Sequence, residues 1–499
     1  MKYLSTRGRN EILESAEAII TGISDNGGLF VPQSIPTLSL DDIASLQDVN
    51  YQQRAARILK EFLTDFSSED IDDCIEKAYN LDKFDGPEVA PIKTLGDGNH
   101  VLELWHGPTS AFKDMALQLL PQVMSKALKM TEESAEIVIL VATSGDTGKA
   151  ALEGFKDVDQ IKIIVFYPHS GVSEIQRLQM VTQQGENVSV IAIKGNFDDA
   201  QTGVKNIFSN NAFNKEIAKE GFQLSSANSI NWGRLVPQIV YYFSAYADML
   251  KAGNITLGNK VNFVVPTGNF GNILAGYYAK AMGLPINKLI CASNPNNVLT
   301  DFLNTGVYDR NRSFHKTISP SMDILISSNL ERLLYHVTSG DSKQVSQWME
   351  ELKVTGKYNI GSEYLQDIQD IFWAGWADDK QTIRTIKDIF DKYSYTADPH
   401  TAVAWFVGEE YRRRTSDKTP NVILSTASPY KFNESVLEAL VGTDLLIGKS
   451  EFDMLEELSR LSGIKIPKAL AGLKNVKVRF SKSCEKEEME ENIKNILTK

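Results

Sequence analysis

The chain has 499 residues, of which 42% are hydrophobic and 23% are charged, a balance typical of a soluble globular protein with sizeable cores. Its 52 lysines and arginines against 64 aspartates and glutamates give a net charge of −12, which argues against nucleic acid and anionic membrane surfaces as partners. A chain of this length predicts about two to four lobes, because single cores stop growing well below it.

The cysteines and the N-terminus indicate a reducing compartment. Cys74, Cys291 and Cys484 lie far apart and no Cys/His cluster accompanies them, so we expect neither a disulfide scaffold nor a metal site. The N-terminus carries charges where a signal peptide has an apolar core, and the apolar runs are far shorter than the ~20 residues that a membrane span requires. We therefore expect a cytoplasmic protein without a membrane segment.

Residues 1–90 predict a mainly helical N-terminal domain. The segments "EILESAEAII" and "YQQRAARILKEFLTDF" have apolar residues at spacings of three and four, as one face of a helix requires. The turn-rich "SDNGGLFVPQSIP" separates these two segments.

From about Val101, short runs of β-branched residues are each followed by a glycine-rich turn and a helical pattern. "EIVILVATSGDTGKAALEGF" and "KVNFVVPTGNFGNILAGYYAKAMG" both have this form. Repeated strand, turn and helix predict an α/β fold with a largely parallel sheet, in which ligands bind beyond the carboxyl ends of the strands. We assign residues 91–440 to this α/β region, with a helical insertion at about 297–397, and residues 441–499 to a C-terminal extension.

Lys113 lies in "LWHGPTSAFKDMALQLL", after a glycine-proline turn and where an apolar helical pattern begins. An amine at such a position loses hydration, which disfavours its charged form. The alternative is a lysine whose ammonium group reaches solvent from the start of the helix. Pro121 lies inside the predicted helix, so we expect a kink or an earlier helix end there.

The turn in "ATSGDTGKAAL" follows a strand and is dense in hydroxyl and amide groups. It has neither the glycine spacing nor the hydroxyl after the lysine that a nucleotide-binding P-loop requires. Thr143, Ser144 and Thr147, together with backbone amides, are suited to a carboxylate. Helix capping by Ser144 or Asp146 is the alternative.

Two later segments are suited to phosphate groups. In "SSANSINWGRL" a guanidinium lies near asparagines and serines, which fits a phosphate monoester; a polar loop with a surface arginine is the alternative. "PTGNFGN" lies between a strand and a helix, where glycines free the backbone and the helix dipole favours an anion. For this loop the alternative is a tight turn without a ligand.

Four features together indicate pyridoxal phosphate, with the lysine amine in a Schiff base. They are one lysine, one loop for a cofactor phosphate, one turn for a carboxylate and one strand end that bears a hydroxyl group. With these motifs the sequence resembles the threonine synthase family of fold type II pyridoxal-phosphate enzymes. The resemblance covers most of the chain and rests on "HGPTSAFKDMA", "ATSGDTG", "SANSINWGR", "PTGNFGN", "DPHTAVAW" and "STASPYKF", in this order.

The resemblance implies a role for each candidate residue. Lys113 would bear the cofactor, Thr426 would face the pyridine nitrogen, and Asp146 would lie near the ring hydroxyl. The residues that would wrap the cofactor phosphate are Gly268, Asn269, Phe270, Gly271 and Asn272. The residues that would bind the substrate are Thr143, Ser144 and Thr147 at its carboxylate, and Asn228, Ser229 and Arg234 at its phosphate. Asn272 replaces an aspartate that many relatives carry, which removes a charge there.

The resemblance further implies a carbon–oxygen lyase that converts O-phospho-L-homoserine and water to L-threonine and phosphate, the last step of threonine biosynthesis. The reaction would proceed by γ-elimination and β-addition of water, with Lys113 as the base. A free lysine has a pKa of about 10.4, so burial and the cofactor must lower it. We expect a monomer. The alternatives are a phospho-lyase that releases a 2-oxo acid and a catalytically inactive homologue.

Overall fold

The computed structural model describes residues 1–8, 12–143, 145–169 and 172–498, without the side chain of Asp198. The first part of the chain contains two short antiparallel strands and helices whose apolar faces join the main core. Its elements are β1 (Tyr3–Ser5), α1 (Ser15–Thr21), β2 (Phe30–Pro32), α2 (Leu40–Ser45), α3 (Tyr51–Phe62) and α4 (Ser68–Ala78). The Asn50 side chain caps α3 by accepting a backbone N–H of its first turn, so the helix predicted from apolar spacing is confirmed.

Strands and helices then alternate. Their order is β3 (Ile92–Gly96), β4 (Asn99–Glu103), α5 (Asp114–Leu117), α6 (Leu120–Met130), β5 (Glu136–Ala142), α7 (Asp146–Phe155), β6 (Ile161–Pro168), α8 (Glu174–Val181), β7 (Val188–Ile193), α9 (Phe197–Ser209), α10 (Asn211–Lys219) and β8 (Phe222–Ser225). The early helix end predicted from Pro121 is confirmed, because α5 stops at Leu117 and the proline lies in the first turn of α6.

The next elements run from the centre of the molecule into the stretch at 297–397. They are α11 (Trp232–Lys251), β9 (Val261–Pro266), α12 (Gly271–Ala281), β10 (Ile286–Ser293), α13 (Val298–Thr305), β11 (Val307–Asp309), α14 (Leu330–Val337), α15 (Ser342–Thr355), β12 (Lys357–Asn359), α16 (Gly361–Ile371), β13 (Phe372–Trp376) and α17 (Asp379–Tyr393). Most side chains of α11 are buried. This helix therefore lies inside the core.

The remaining elements complete the sheets and cover their surfaces. They are α18 (Pro399–Thr415), β14 (Asn421–Ser425), α19 (Asn433–Val441), α20 (Glu451–Ser462), β15 (Ser483–Cys484) and α21 (Met489–Leu497). The last helix, α21, is amphipathic and buries Met489, Ile493 and Leu497 against side chains of β5, β6 and β7.

Two sheets, as far as the chain is described, form the α/β framework, and the predicted fold class is confirmed. The six-stranded sheet has the order β13-β10-β9-β14-β4-β3 and is parallel except for the β3–β4 pair. The five-stranded sheet, in the order β15-β7-β6-β5-β8, is parallel throughout. The loops that follow parallel strands collect at one edge of a sheet.

These two loop edges face each other. Lys113 and Lys431 come from loops of the six-stranded sheet, after β4 and β14, and both contact Asp146, which follows β5 of the five-stranded sheet. The motifs "HGPTSAFKDMA", "ATSGDTG" and "STASPYKF" therefore meet in the cleft between the sheets.

The structure also bears on the cysteines and on membrane segments. Cys74, Cys291 and Cys484 are free thiols and all three are buried. None of the helices in the described part of the chain combines the length and the apolar character of a membrane-spanning helix.

Candidate active site

Lys113 lies immediately before α5, in the cleft between the two sheets. Its Nζ atom is 3.6 Å from Asp146 Oδ2 and 3.5 Å from Ser321 Oγ, and its side chain is 11% exposed. Burial lowers the pKa of the Lys113 amine; Asp146 opposes this effect, while the nearby cations of Lys431 and Arg234 add to it. The lowered pKa makes the Lys113 amine easier to deprotonate than a lysine in solvent.

Lys431 is a second amine in the cleft, and the sequence interpretation missed it. Its side chain is fully buried, with Nζ 2.7 Å from Asp146 Oδ1 and 2.9 Å from the Thr109 carbonyl oxygen. Burial raises the pKa of Asp146, but Lys431 and Lys113 outweigh it and hold that pKa well below its usual range. The one signal for Lys431 is its place in "STASPYKF", directly after a strand end.

The turn before α7 is organised by Thr143. Its hydroxyl oxygen accepts hydrogen bonds from the backbone N–H groups of Gly145 at 3.0 Å and Gly148 at 2.9 Å. Gly145 has a φ of 150°, a backbone conformation that residues other than glycine rarely adopt. Thr147 is half-buried in the first turn of α7, and Ser144 lies outside the described residues.

The glycine-rich loop between β9 and α12 is tightly constrained. A Cβ atom on Gly268 would lie 2.7 Å from the Ser321 carbonyl oxygen, so no side chain fits there. Phe270 has a φ of 65° and directly precedes α12, whose first residue is Gly271. The buried Asn272 donates from Nδ2 to the Pro266 carbonyl oxygen at 2.9 Å, so its amide closes the turn. The N–H groups at the start of α12 favour an anion.

Asn329 connects this loop to the loop before α11. Its backbone N–H donates to the Asn269 carbonyl oxygen at 3.1 Å, and its side-chain Nδ2 donates to the Ser229 carbonyl oxygen at 3.1 Å. Arg332 donates in turn to Asn329 Oδ1 and, at 2.6 Å, to the Ile230 carbonyl oxygen. The sequence did not indicate Asn329 or Arg332, because their partners are backbone atoms distant in the chain.

Arg234 is a buried cation in the first turn of α11. It is 4% exposed, its Nη1 donates to the Ala227 carbonyl oxygen at 2.7 Å, and its Nε has no hydrogen-bond partner. Burial lowers the pKa of Arg234 to about 10, so it stays charged at neutral pH. Within the described ranges, no carboxylate forms an ion pair with it. Asn228 and Ser229 are half-buried in the preceding loop.

Thr426 follows β14 directly and is 6% exposed. Its carbonyl oxygen accepts a hydrogen bond from the Phe112 N–H at 2.8 Å, which fixes it beside the loop that carries Lys113. The short helical turn at 429–432 is capped by Ser428, whose Oγ accepts from the Tyr430 N–H, and not by Thr426. The Thr426 hydroxyl is therefore not used as a helix cap.

The motif "DPHTAVAW" supports the segment that contacts Lys113. Asp398 caps α18, and its Oδ2 lies 2.6 Å from His400 Nδ1. His400 Nε2 accepts a hydrogen bond from the Ser321 N–H at 3.2 Å. The pair thus holds the Ser321 segment against both Lys113 and Gly268.

The described residues contain no group of His, Cys, Asp and Glu side chains that could hold a metal ion. The cleft instead combines a buried amine, a buried cation with spare donors and a helix N-terminus, which suits an anionic organic cofactor and an anionic substrate.

Family models match almost the whole chain. Residues 2–79 match the model described as "Threonine synthase N terminus", residues 93–426 match "Pyridoxal-phosphate dependent enzyme", and residues 401–493 match "Threonine synthase, C-terminal".

Similar proteins agree with these models. The chain is 42% identical to "Threonine synthase-like 1" of Homo sapiens over 85% of its own length, but it spans only 58% of that protein. It is 37% identical to threonine synthase of Saccharomyces cerevisiae, over 98% of each chain. A crystal structure of pyridoxal-phosphate-bound threonine synthase from Brucella melitensis superposes over 100% of both chains, with a TM-score of 0.88 and 36% identity.

Proposed function

The chain belongs to the threonine synthase family of pyridoxal-phosphate-dependent enzymes, and from this membership we propose that it converts O-phospho-L-homoserine and water to L-threonine and phosphate. The observation that carries the proposal is Arg234, a buried cation with an unpartnered Nε in the same cleft as Lys113. A buried charge without a partner is costly, and a phosphate group on the substrate would supply one.

The residues of the cleft fit pyridoxal phosphate. Lys113 would hold it through its amine, and the loop from Gly268 to Asn272 would hold its phosphate, since the loop has a backbone that excludes a side chain and leads into a helix N-terminus. Thr426 would face the pyridine nitrogen and Asp146 would lie toward the ring hydroxyl. When bound, the cofactor withdraws the negative charge that develops on the substrate carbons.

Residues on the two sides of the cleft would orient the substrate. Thr143 and Thr147, at the start of α7, would bind the carboxylate together with backbone N–H groups; Ser144 belongs to the same proposal. Arg234 would bind the phosphate through its fork, assisted by Asn228 and Ser229. Holding both ends of the substrate fixes its reacting carbons over Lys113.

Lys113 would move the protons of the reaction. Because its pKa is lowered, a larger fraction of its amine is neutral and can accept the α-proton. Once it has given up that proton, the same amine can accept a β-proton. As phosphate leaves the γ-carbon, Arg234 would stabilise the charge on the departing group. The same amine returns the β-proton to the γ-carbon. Water then adds its hydroxyl group to the β-carbon, and the two remaining protons, the first α-proton and one from water, go to the α-carbon and to the departed phosphate.

Product analysis tests this proposal. We expect O-phospho-L-homoserine in ¹⁸O-labelled water to give phosphate and L-threonine labelled at its hydroxyl group. Release of 2-oxobutanoate in place of threonine would identify the second candidate, the phospho-lyase. Absence of both products would indicate the inactive homologue.

Arg234→Lys provides the matched variant for the substrate site. It keeps the charge but loses the bidentate fork, so we expect kcat/KM to fall by about ten- to a hundredfold, the effect of one charged hydrogen bond, with the cofactor retained. A variant that loses the cofactor and keeps substrate affinity would reverse the assignment of the two phosphate sites.

Three broader expectations complete the proposal. We propose a monomer, to be tested by light scattering, and a cytoplasmic location, to be tested by cell fractionation. We also propose that residues 1–90 are an N-terminal domain, that 91–440 are the catalytic region with 297–397 inserted in it, and that 441–499 are a C-terminal extension, all packed against one another. Limited proteolysis should cut first near these boundaries.

A further inference from the structure

The reaction proposed above gives Lys431 no role, although its ammonium group is buried in the cleft beside Asp146. Its side chain is 0% exposed, and its Nζ donates to Asp146 and to the Thr109 carbonyl oxygen. Burying an ammonium group costs several kcal/mol unless it is well paired. Core packing alone is therefore a poor explanation, since an apolar side chain of similar length would fill the space without this cost.

The two oxygens of Asp146 contact two different lysines at unequal distances. Lys431 Nζ lies 2.7 Å from Oδ1, whereas Lys113 Nζ lies 3.6 Å from Oδ2. Gln176 Nε2 adds a hydrogen bond to Oδ1 at 3.0 Å. The carboxylate is thus paired on the side away from Lys113.

We infer that Lys431 is a positioning residue that occupies Asp146 and so leaves the Lys113 amine free to lose and regain its proton. Without Lys431, the carboxylate would pair directly with Lys113 and hold a proton on it. The inference deepens the proposed function, because it rests on Lys113 as the base.

The remaining charges around the pair agree with this role. Lys431 and Arg234 both lower the pKa of Lys113, whereas Asp146 raises it. Asp114, on α5, is another buried carboxyl group; burial raises its pKa to about 6, and it accepts hydrogen bonds from the N–H and the hydroxyl of Thr109. Asp114 is thus occupied by Thr109.

The test compares the full chain with Lys431→Met, which removes the charge, and Lys431→Arg, which keeps it. The first readout needs no substrate: the pH dependence of Lys113 acetylation by acetic anhydride in cofactor-free protein, quantified by mass spectrometry of the peptide. The second readout is the pH profile of kcat in the cofactor-loaded enzyme.

In Lys431→Met we expect the acetylation midpoint and the acidic limb of the kcat profile to move up by about one pH unit, which is a tenfold loss of neutral amine at a given pH. Lys431→Arg should restore both values. Lys126→Met is the matched control: its lysine pairs with Asp70 at 2.8 Å, is more exposed, and should leave both unchanged.

A lone buried Asp146 could prevent Lys431→Met from folding, so a double variant, Asp146→Asn with Lys431→Met, removes both charges. Its acetylation midpoint should lie at or below that of the unmodified chain, because no carboxylate remains to hold the proton. A midpoint that stays unchanged in Lys431→Met, or rises in the double variant, would overturn the inference. Acetylation uses no substrate, so the acetylation midpoints can be interpreted even if the proposed reaction does not occur.

Discussion

Single residues in the cleft differ in how much the sequence could indicate. Lys113 and Arg234 lie in motifs whose neighbours suggest an amine and an anion site; in the cleft Arg234 is buried and Lys113 is half-buried. Lys431 was missed because a buried lysine has no local signature: its partner Asp146 is distant in the chain. When the role of a residue depends on charges that folding brings together, no single segment of the sequence indicates that role.

At this scale the first prediction concerns the cofactor lysine. Lys113→Ala should lack the visible absorbance of bound cofactor and should form no threonine, since we propose its amine as both tether and base. Absorption spectra and product assays measure this, with Lys126→Ala as a control that keeps both. Visible absorbance that survives in Lys113→Ala would assign the tether to another amine, such as the buried Lys431, which contacts the same carboxylate.

The second prediction concerns Thr426, whose hydroxyl is not needed as a helix cap. Thr426→Asp would set a negative charge against the pyridine nitrogen and hold a proton on it, which makes the ring a stronger electron acceptor. We expect absorbance at longer wavelengths to rise with substrate while threonine formation falls. Thr426→Ser keeps the hydroxyl and should behave like the unmodified chain. If Thr426→Asp has normal spectra and turnover, Thr426 does not contact the ring.

Among the elements, the contact between α5 and α7 sets the distance between Lys113 and Asp146. Both residues lie where these helices begin, and Gly154 of α7 allows the close approach: a Cβ atom there would lie 1.8 Å from the Leu117 carbonyl oxygen. The sequence predicted α7 but not this contact, because a glycine inside a helix has several explanations.

Gly154→Ala should therefore separate the two helices. We expect a loss of about 1–3 kcal/mol in the free energy of unfolding, as is usual for overpacking, together with weaker cofactor retention. Urea unfolding and cofactor dialysis measure the two effects. Gly253→Ala is the control, because no atom lies within 4 Å of the position of its Cβ; its φ of 69° still costs stability, but its cofactor retention should be normal. Unaltered cofactor retention in Gly154→Ala would contradict the predicted link.

For the whole molecule, repeated strand–turn–helix patterns were enough to predict parallel sheets, since the pattern is local. The sequence did not indicate how the loop edges of the two sheets face each other. That arrangement depends on long-range contacts, such as those of Asn329 with Ser229 and with Asn269. The stretch at 297–397 also supplies β13, which extends the six-stranded sheet beside β10. The helical sequence patterns of this stretch gave no indication of β13.

Asn329 allows a prediction at this scale, since it connects the two loops proposed to bind phosphate groups. Asn329→Ala should weaken both cofactor retention and substrate binding by about tenfold each, the effect of one buried hydrogen bond. Cofactor titration and the KM for O-phospho-L-homoserine measure this, with the exposed Asn304→Ala as the control. If only one of the two affinities changes, Asn329 does not couple the loops.

The distribution of the cleft residues along the chain constrains when the protein can bind its cofactor during synthesis. Lys113 leaves the ribosome early, but the partner that occupies Asp146 is Lys431, and Thr426 belongs to the same late segment. A nascent chain that ends before β14 also lacks a central strand of the six-stranded sheet. Cofactor capture must therefore follow the synthesis of nearly the whole chain, so a truncated translation product would neither bind nor deplete the cofactor pool of the cell.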